Sequence, residues 1–349
     1  GERSSCVGCH EQRTRTILPT KPLLAMQRPP SKVAPIADCP DVFDFPRDIQ
    51  PILDRICTDC HGYEKTERGG PYAAGIILTG DRGPMFSHGF YEMTVHRMFS
   101  DGRNLAKSNY APRTLGSAAS RVLQLIDGSH YGAKATEGEA KIMRLWIEVG
   151  APYPGTYGAL GGGSIGGYQE NKQVHTDYEW PERKAMEAAM AQRCAGCHEG
   201  ELSLPTALSD ENGLSFWQPK MDDPKLMRTR HNLFNLSRPE LSLMLLAPLS
   251  KEAGGYGTCV QDGAPVFTDK ADAAYQAILG LCRVGKSYLA EITRFDMPDF
   301  KPREPYLREM KRYGVLASAF DTTAVRGGEV DTYALDQRYW KSLWLAGQE

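Results

Sequence analysis

The stretch Cys57-Thr58-Asp59-Cys60-His61 decides what kind of fold this chain adopts. The same Cys-x-x-Cys-His pattern occurs twice more, as Cys6-Val7-Gly8-Cys9-His10 and Cys194-Ala195-Gly196-Cys197-His198. It is the attachment signature of c-type haem, in which two thiols bond to the porphyrin and the histidine binds the iron. A zinc site or a disulfide would not explain why a histidine follows every cysteine pair. We therefore predict a multihaem c-type cytochrome.

Three covalently attached haems give a role to nine residues. The predicted haem-binding thiols are Cys6, Cys9, Cys57, Cys60, Cys194 and Cys197, and the predicted proximal iron ligands are His10, His61 and His198. Because a porphyrin supplies a large apolar surface, each haem is expected to be part of the core around it. Only five residues precede Cys6. The first haem must therefore be packed by chain from elsewhere or by a partner.

The composition and the haem motifs limit the partners that the protein can bind and the compartment in which it can work. The chain has 349 residues and a formal charge of −2, which does not suggest nucleic-acid binding. No apolar run approaches the length of a membrane span. The chain opens without a leader-like segment, so we expect a removed leader or a fragment of a longer protein. Covalent haem attachment occurs outside the bacterial cytoplasm, which predicts a periplasmic or extracellular protein, or one in an equivalent lumen.

The predicted fold class is mainly α with extensive loops. We expect an N-terminal haem segment over residues 1–45, a cytochrome c-like domain over 46–152, a Gly-rich linker over 153–176 and a second cytochrome c-like domain over 177–349. The linker is so rich in glycine that it cannot hold a regular element.

Apolar periodicity predicts a helix before each of the later two motifs and one that closes each domain. Residues 47–56 and the segment that begins at Pro181 lead into motifs. A capping box of Thr136 and Glu139 opens the first closing helix, and residues 271–292 form the second. The apolar faces are predicted to contain Ile49, Ile52, Leu53 and Ile56; Ile142, Leu145, Trp146 and Val149; Ala185, Met186, Ala189 and Met190; and Tyr275, Ile278, Leu279 and Cys282.

The second iron ligand of each haem decides whether a site is closed or open to a substrate. For the third haem, His231 is the candidate, against a structural or surface role. For the second haem, His88, His96 and His130 are alternatives. His175 could serve the first haem or the third. A methionine at helical spacing is more often core than ligand.

Three cysteines lie outside the motifs. Cys259 and Cys282 could form a disulfide in an oxidising compartment, which would leave Cys39 buried, paired to another chain or bound to a metal. The sequence over residues 280–287 matches a P-loop pattern, but the residues before it read as helix, so nucleotide binding is not expected.

Several stretches between the motifs resemble the haem-bearing region of the hydrazine synthase α subunit and its planctomycete-type relatives. The resemblance covers nearly the whole chain. Its residues are 45–54, 78–84, 127–132, 144–155, 230–236 and 294–298.

That resemblance implies an open, catalytic haem at the second motif and a bis-histidine, electron-transfer haem at the third. In the family, a tyrosine shortly after the motif holds the active haem, and Tyr63 is the nearest such residue here.

Three functions follow as hypotheses. We favour an electron-transfer protein that works with redox partner proteins, within a homo-oligomer or a larger complex. The alternative is a redox enzyme acting on a small nitrogen compound at an open second haem. A structural subunit whose terminal haem docks on a partner is the third.

Overall fold

The computed structural model describes residues 35–100, 110–156, 158, 176–214 and 223–345, together with the isolated residues 27 and 29. The predictions for Cys6, Cys9, His10 and His175 lie outside the described residues, as does most of the predicted Gly-rich linker.

The described chain is mainly helical with extensive loops, which confirms the predicted secondary-structure class. A π-helical turn, Phe45–Ile49, precedes α1. The α-helices are α1 (Gln50–Ile56), α2 (His88–Val95), α3 (Val122–Leu125), α4 (Glu137–Glu148), α5 (Pro181–Arg193), α6 (Arg230–Leu233), α7 (Leu243–Leu246), α8 (Ala273–Ile292), α9 (Glu304–Arg312) and α10 (Thr332–Leu345). Among the described residues the only strands are β1 (Val260–Gln261) and β2 (Ala264–Pro265), paired antiparallel with Val260 opposite Pro265.

The helix that enters the second motif begins slightly earlier than predicted. Asp44 caps the π-helical turn by accepting a hydrogen bond from the backbone N–H of Arg47 at 3.3 Å, which satisfies a donor that the helix itself leaves free. The apolar residues predicted for this face are all buried, namely Ile49, Ile52, Leu53 and Ile56. The sequence period therefore identified the buried face correctly.

Helix α4 confirms the predicted capping box and most of the predicted face. The side chains of Thr136 and Glu139 each bond the other's backbone N–H. Of the predicted face, Trp146 is fully buried and donates its indole N–H to the Pro152 carbonyl at 2.9 Å, and Ile142 and Leu145 are partly buried against the same core. The prediction for Val149 is wrong, because this residue is 59% exposed.

Helices α5 and α8 pack against each other and form the core of the C-terminal part. Pro181 is the first residue of α5, as predicted. Met186, Ala189 and Met190 are buried, whereas Ala185 is exposed. The predicted face of α8, with Tyr275, Ile278, Leu279 and Cys282, is buried throughout. Residues 280–287 lie inside α8, which excludes a P-loop conformation.

The seam predicted at residue 153 is not a boundary of the core. Tyr153 is buried, and its carbonyl accepts a hydrogen bond from the Phe45 N–H at 3.0 Å. Its hydroxyl accepts one from the Ser87 N–H at 2.9 Å and lies 3.1 Å from a carboxylate oxygen of Asp296. Tyr153 therefore belongs to the packed interior, and so do Gly155, whose N–H donates to the Asp44 carboxylate at 3.4 Å, and the buried Thr156.

The C-terminal helices contact the segment that leads into α1. Helices α9 and α10 form a small apolar cluster of their own around Leu307 and Leu335. From α10, the Gln337 side chain accepts a hydrogen bond from the Asp41 N–H at 2.6 Å, and the Tyr333 hydroxyl donates one to Asp48 at 2.5 Å. Within the described ranges, no helix is long and apolar enough to cross a bilayer.

Candidate haem-binding sites

The second motif (residues 57–61) forms a tight turn at the end of α1. The N–H of Cys57 donates to the Leu53 carbonyl at 2.8 Å, and the N–H of His61 donates to the Cys57 carbonyl at 2.9 Å. These bonds turn the chain so that it leaves the helix within one motif. The backbone of Cys57 has φ −118° and ψ −37°.

The third motif (residues 194–198) repeats this turn at the end of α5. The N–H of Cys194 donates to the Met190 carbonyl at 2.8 Å, and the N–H of His198 donates to the Cys194 carbonyl at 3.0 Å. The dihedral angles of Cys194 are φ −119° and ψ −32°, within a few degrees of those of Cys57. The two sequences thus specify one local conformation.

Both motif histidines are held in the same tautomer. Nδ1 of His61 lies 3.1 Å from the Ala73 carbonyl oxygen, and Nδ1 of His198 lies 3.0 Å from that of Leu202. A carbonyl oxygen can only accept, so each Nδ1 must carry the proton. The lone pair is then on Nε2 in both rings, which is the arrangement by which a second partner orients a metal-binding imidazole.

An apolar cavity of about 370 Å³ opens beside the second motif. Both motif cysteines and His61 line it, and so do two further histidines, His96 and His130. The apolar part of its wall consists of Leu53, Ile56, Ala73, Ala74, Ile76, Leu78, Met93, Met98, Val122, Leu125, Ile126 and Ala133. A space lined by hydrocarbon, two thiols and imidazoles fits a covalently held porphyrin.

His130 lies across from His61 in this cavity. Their ring centroids are 6.1 Å apart and their planes differ by 13°. Two metal–nitrogen bonds of about 2 Å each, with about 1 Å from each nitrogen to its ring centre, require roughly the same separation. The sequence left three alternatives for the second haem, and this geometry favours His130.

A short loop holds His130 in place. Asp127 and Lys134 form an isolated antiparallel bridge at its ends. The N–H of Ala133 donates to the His130 carbonyl at 2.8 Å, which closes the turn. Gly128 has φ +105°, a conformation open to glycine and costly for other residues.

His88 occupies a different environment. It is fully buried, its Nε2 lies 3.2 Å from the Phe234 carbonyl oxygen, and its Nδ1 lies 2.8 Å from the Tyr63 hydroxyl. The carbonyl can only accept, so Nε2 carries the proton and Nδ1 accepts from Tyr63. Burial lowers the pKa of His88, which keeps it neutral at pH 7. Both ring nitrogens are therefore engaged in packing the two parts of the chain together.

Tyr63 faces the same contact and not the cavity. Its hydroxyl also accepts a hydrogen bond from the Asn235 amide at 3.2 Å, and the Arg238 guanidinium lies 5.3 Å from its ring centroid. Burial raises the pKa of Tyr63 well above its ordinary value. This environment does not favour the ligand role that the family resemblance suggests for a tyrosine after the motif.

His96 lines the cavity but is paired with an acid. Its Nε2 lies 2.9 Å from a carboxylate oxygen of Glu92, one helical turn earlier. Glu92 is fully buried, and burial raises its pKa. This contact occupies the Nε2 atom of His96, so it favours His130 over His96 as the ligand opposite His61.

The third motif is much more exposed. Cys197 is an exposed thiol, and Leu202 beside it is 47% exposed. Burial and the nearby Cys259 raise the pKa of the Cys194 thiol to about 11. Cys259 therefore lies close to the third motif. It is not bonded to Cys282, which is buried and accepts a hydrogen bond from the Ser242 hydroxyl at 3.4 Å.

His231 lies between the two parts of the chain. It is 1% exposed, with its ring centroid 5.0 Å from that of Tyr91 and 5.5 Å from that of Phe86. Burial and nearby cations lower its pKa well below the ordinary value. Aromatic packing on both of these sides favours the structural role that the sequence left open, over ligation of a haem at His198.

Two basic residues at the second site were not singled out from the sequence. Arg68 and Arg121 line the cavity, and both are exposed at its edge. Guanidinium groups there could pair with carboxylates of a bound porphyrin. Nothing in their spacing from the motif indicates this, because only the folded loops bring them to the cavity.

Within the described part of the chain, no group of three or more His, Cys, Asp or Glu residues could hold a metal ion on its own. No protein-family model, no curated protein and no solved structure matches the chain.

Proposed function

We propose that this chain is a trihaem c-type cytochrome that passes electrons between covalently bound haems. The observation that carries the proposal is the shared state of the two motif histidines. In each motif two thiols precede an imidazole whose Nδ1 is bound to a backbone carbonyl, at 3.1 Å for His61 and 3.0 Å for His198. Zinc or disulfide chemistry does not explain why a histidine directly follows each cysteine pair. The Nδ1 contact adds that each of these imidazoles is oriented as a metal-binding imidazole is.

The proposed cofactor assignments follow from the motifs. Cys57, Cys60 and His61 would hold one haem, and Cys194, Cys197 and His198 another. Cys6, Cys9 and His10 carry the same signature. A bound haem supplies reversible one-electron chemistry at its iron. The protein residues attach it, orient its proximal imidazole and exclude water from its apolar faces.

The two parts of the chain around residues 46–152 and 177–349 are proposed to be cytochrome c-like haem domains. Each has a helix that ends in the motif turn and apolar helices that pack behind it. The contact between them is also extensive. For example, Arg238 pairs with Asp81 through two bonds of 2.9 and 2.6 Å.

The second site is proposed to be closed by His61 and His130. A histidine on each side of the iron gives a carrier of electrons with no position for a substrate. The hydrazine synthase-like alternative needs an open iron there, so the 6.1 Å separation of the two rings supports the electron-transfer function over it.

Location and partners follow from this chemistry. The protein would work in the periplasm or outside the cell, where covalent haem attachment takes place. Redox partner proteins would deliver and remove electrons, and further copies of the chain in an oligomer or larger complex could do so too.

The test is the intact mass of the protein made in a host with a cytochrome c maturation system. We expect the mass to rise by three haem groups, and by two in a Cys194→Ser/Cys197→Ser variant. A wild-type mass without any added haem, with the thiols still free, would contradict the proposal.

A further inference from the structure

Two tyrosines from distant parts of the sequence stack on each other. The ring centroids of Tyr72 and Tyr256 are 5.5 Å apart, and their planes differ by only 11°. This is the offset-stacked geometry that aromatic pairs favour. Tyr72 comes from the chain that follows the second motif, and Tyr256 from the chain that approaches the third motif, so the pair joins two separate parts of the sequence.

On one side the stack is bonded directly to the second motif. Ala73, the neighbour of Tyr72, donates its N–H to the Cys60 carbonyl at 3.1 Å. The carbonyl of Ala73 accepts the Nδ1 proton of His61 at 3.1 Å. The residue that orients the proximal imidazole is therefore the covalent neighbour of the stacked ring.

On the other side the chain from Tyr256 reaches the third motif. Cys259 is three residues further on, and its thiol lies within electrostatic range of Cys194 and Cys197. The carbonyl of Cys259 accepts a hydrogen bond from the Val266 N–H at 3.3 Å, and the Val266 carbonyl accepts one from the Arg193 guanidinium. Arg193 directly precedes the third motif.

The backbone of Tyr72 is held in an unfavourable conformation. Its φ is +54° and its ψ is 42°, in the left-handed region that is unfavourable for a non-glycine residue. Such conformations persist only where the surroundings impose them, and they concentrate at functional positions. A loop that merely connected two elements could place a glycine there.

The hydroxyl of Tyr256 contributes little to stability. It is buried, and it has no hydrogen-bond partner among the residues that the structure describes. A buried hydroxyl without a partner is a cost to the folded state. A phenylalanine would avoid that cost, so stability does not explain the tyrosine, whereas the ring itself makes the contact with Tyr72.

We infer that the Tyr72–Tyr256 stack is the contact through which electrons pass between the second and third haems. This inference rests on the proposed function. Electron tunnelling weakens steeply across gaps and less steeply through bonded and packed atoms. The route from His61 through Ala73 and the two rings to Cys259 consists of covalent bonds, a hydrogen bond and one non-bonded ring stack. The hydrogen bonds from Cys259 to Val266 and from Val266 to Arg193 continue it to the third motif.

The test measures electron transfer between the two haems after photoreduction of the oxidised protein. The relevant kinetic phase is the one that is absent both from a Cys194→Ser/Cys197→Ser variant and from a Cys57→Ser/Cys60→Ser variant. Tyr256→Leu removes the ring but keeps an apolar side chain, and we expect it to slow this phase several-fold with haem content and midpoint potentials unchanged. Tyr256→Phe, which keeps the ring, should restore the rate.

Tyr313→Leu is the control, because Tyr313 forms an aromatic pair of similar spacing, at 5.4 Å, with Tyr339, which packs against the separate apolar cluster of α9 and α10. It should leave the phase unchanged. If Tyr256→Leu does not fold, Tyr256→Met carries the same test with a more adaptable side chain.

Transfer at the wild-type rate in a folded Tyr256→Leu or Tyr256→Met protein with full haem content overturns the inference and leaves the proposed function standing. A wild-type protein that carries no haem at the second or the third motif, and therefore shows no such phase, overturns both the inference and the proposed function.

Discussion

The second and third motifs have the same backbone and different surroundings. Their cysteines differ by about a degree in φ, −118° against −119°, and the same hydrogen bonds close both turns. Yet the second motif faces an apolar cavity with His130 opposite, whereas the third leaves Cys197 exposed. The local sequence therefore specifies the turn of each motif, whereas distant parts of the chain determine what surrounds that turn.

The largest expected effect comes from removing the thiols, and it should differ between the two motifs. Cys57→Ser/Cys60→Ser leaves an apolar cavity without its cofactor, so we expect a loss of about 2–5 kcal/mol in the free energy of unfolding, as for large core truncations. Cys194→Ser/Cys197→Ser, at a more exposed site, should lose less. Urea denaturation of both variants provides the comparison, and equal losses would show that the surroundings of the motifs are not energetically different.

Replacing His130, the proposed iron ligand opposite His61, should open the second haem to small molecules and leave the other two haems unchanged. His130→Ala is expected to make one haem high-spin and able to bind carbon monoxide, as seen in the visible spectrum. His88→Ala is the matched control: it should leave the spectrum unchanged and cost about 1–3 kcal/mol, because it removes the partner of the buried Tyr63 hydroxyl. A change of spin state in His88→Ala with none in His130→Ala would reverse the assignment.

Replacing His231 tests whether it is the second iron ligand of the third haem or a packing residue between the two parts of the chain. Because its ring packs against Tyr91 and Phe86, His231→Ala should destabilise the fold by about 2 kcal/mol and leave all haem spectra unchanged. Thermal unfolding and absorption spectra measure the two effects. If the third haem became high-spin, His231 would be its ligand after all.

A smaller effect is expected from acid, at the contact between the two regions. Asp296 is buried beside Arg294 and Arg82, at 2.8 and 3.2 Å, and these charges hold the pKa of its carboxyl below the ordinary value of 3.8. An acid whose pKa is lower in the folded state stabilises the fold at any pH above its pKa in the unfolded state. This stabilisation is lost as the pH falls through the pKa of the folded state.

Unfolding by urea at pH 7 and at pH 3 should therefore show a less stable protein in acid. Asp296→Asn should reduce that difference, although it lowers stability at pH 7 by leaving Arg294 without its counter-charge. An unchanged acid dependence in Asp296→Asn would assign the effect to other carboxylates.

Much of the local structure could be predicted from the sequence. The capping box of α4, Pro181 at the start of α5 and the buried face of α8 all depend on residues within one or two helical turns of each other. On the face of α4, only the prediction for Val149 was wrong, because Trp146 is buried and Ile142 and Leu145 pack against the same core.

The choice among histidines could not be made from the sequence. His88 and His130 both occur in turn-like settings, with glycine or serine beside them. What separates them is distant in the chain: the Phe234 carbonyl engages His88, and the loop from Asp127 to Lys134 holds His130 opposite His61. Tyr153 was placed in the predicted linker for the same reason: Ser87 and Asp296, which contact its hydroxyl in the interior, are far from it in the sequence.

The most direct test of a closed second site is the electron paramagnetic resonance spectrum of the oxidised wild-type protein, recorded beside that of the Cys57→Ser/Cys60→Ser variant and repeated after reduction and exposure to nitric oxide. We predict a low-spin signal that is missing from the variant, and therefore belongs to the second haem, and no nitrosyl species at that iron. A high-spin second haem that binds nitric oxide in the wild-type protein would contradict the electron-carrier account and favour small-nitrogen chemistry at that iron.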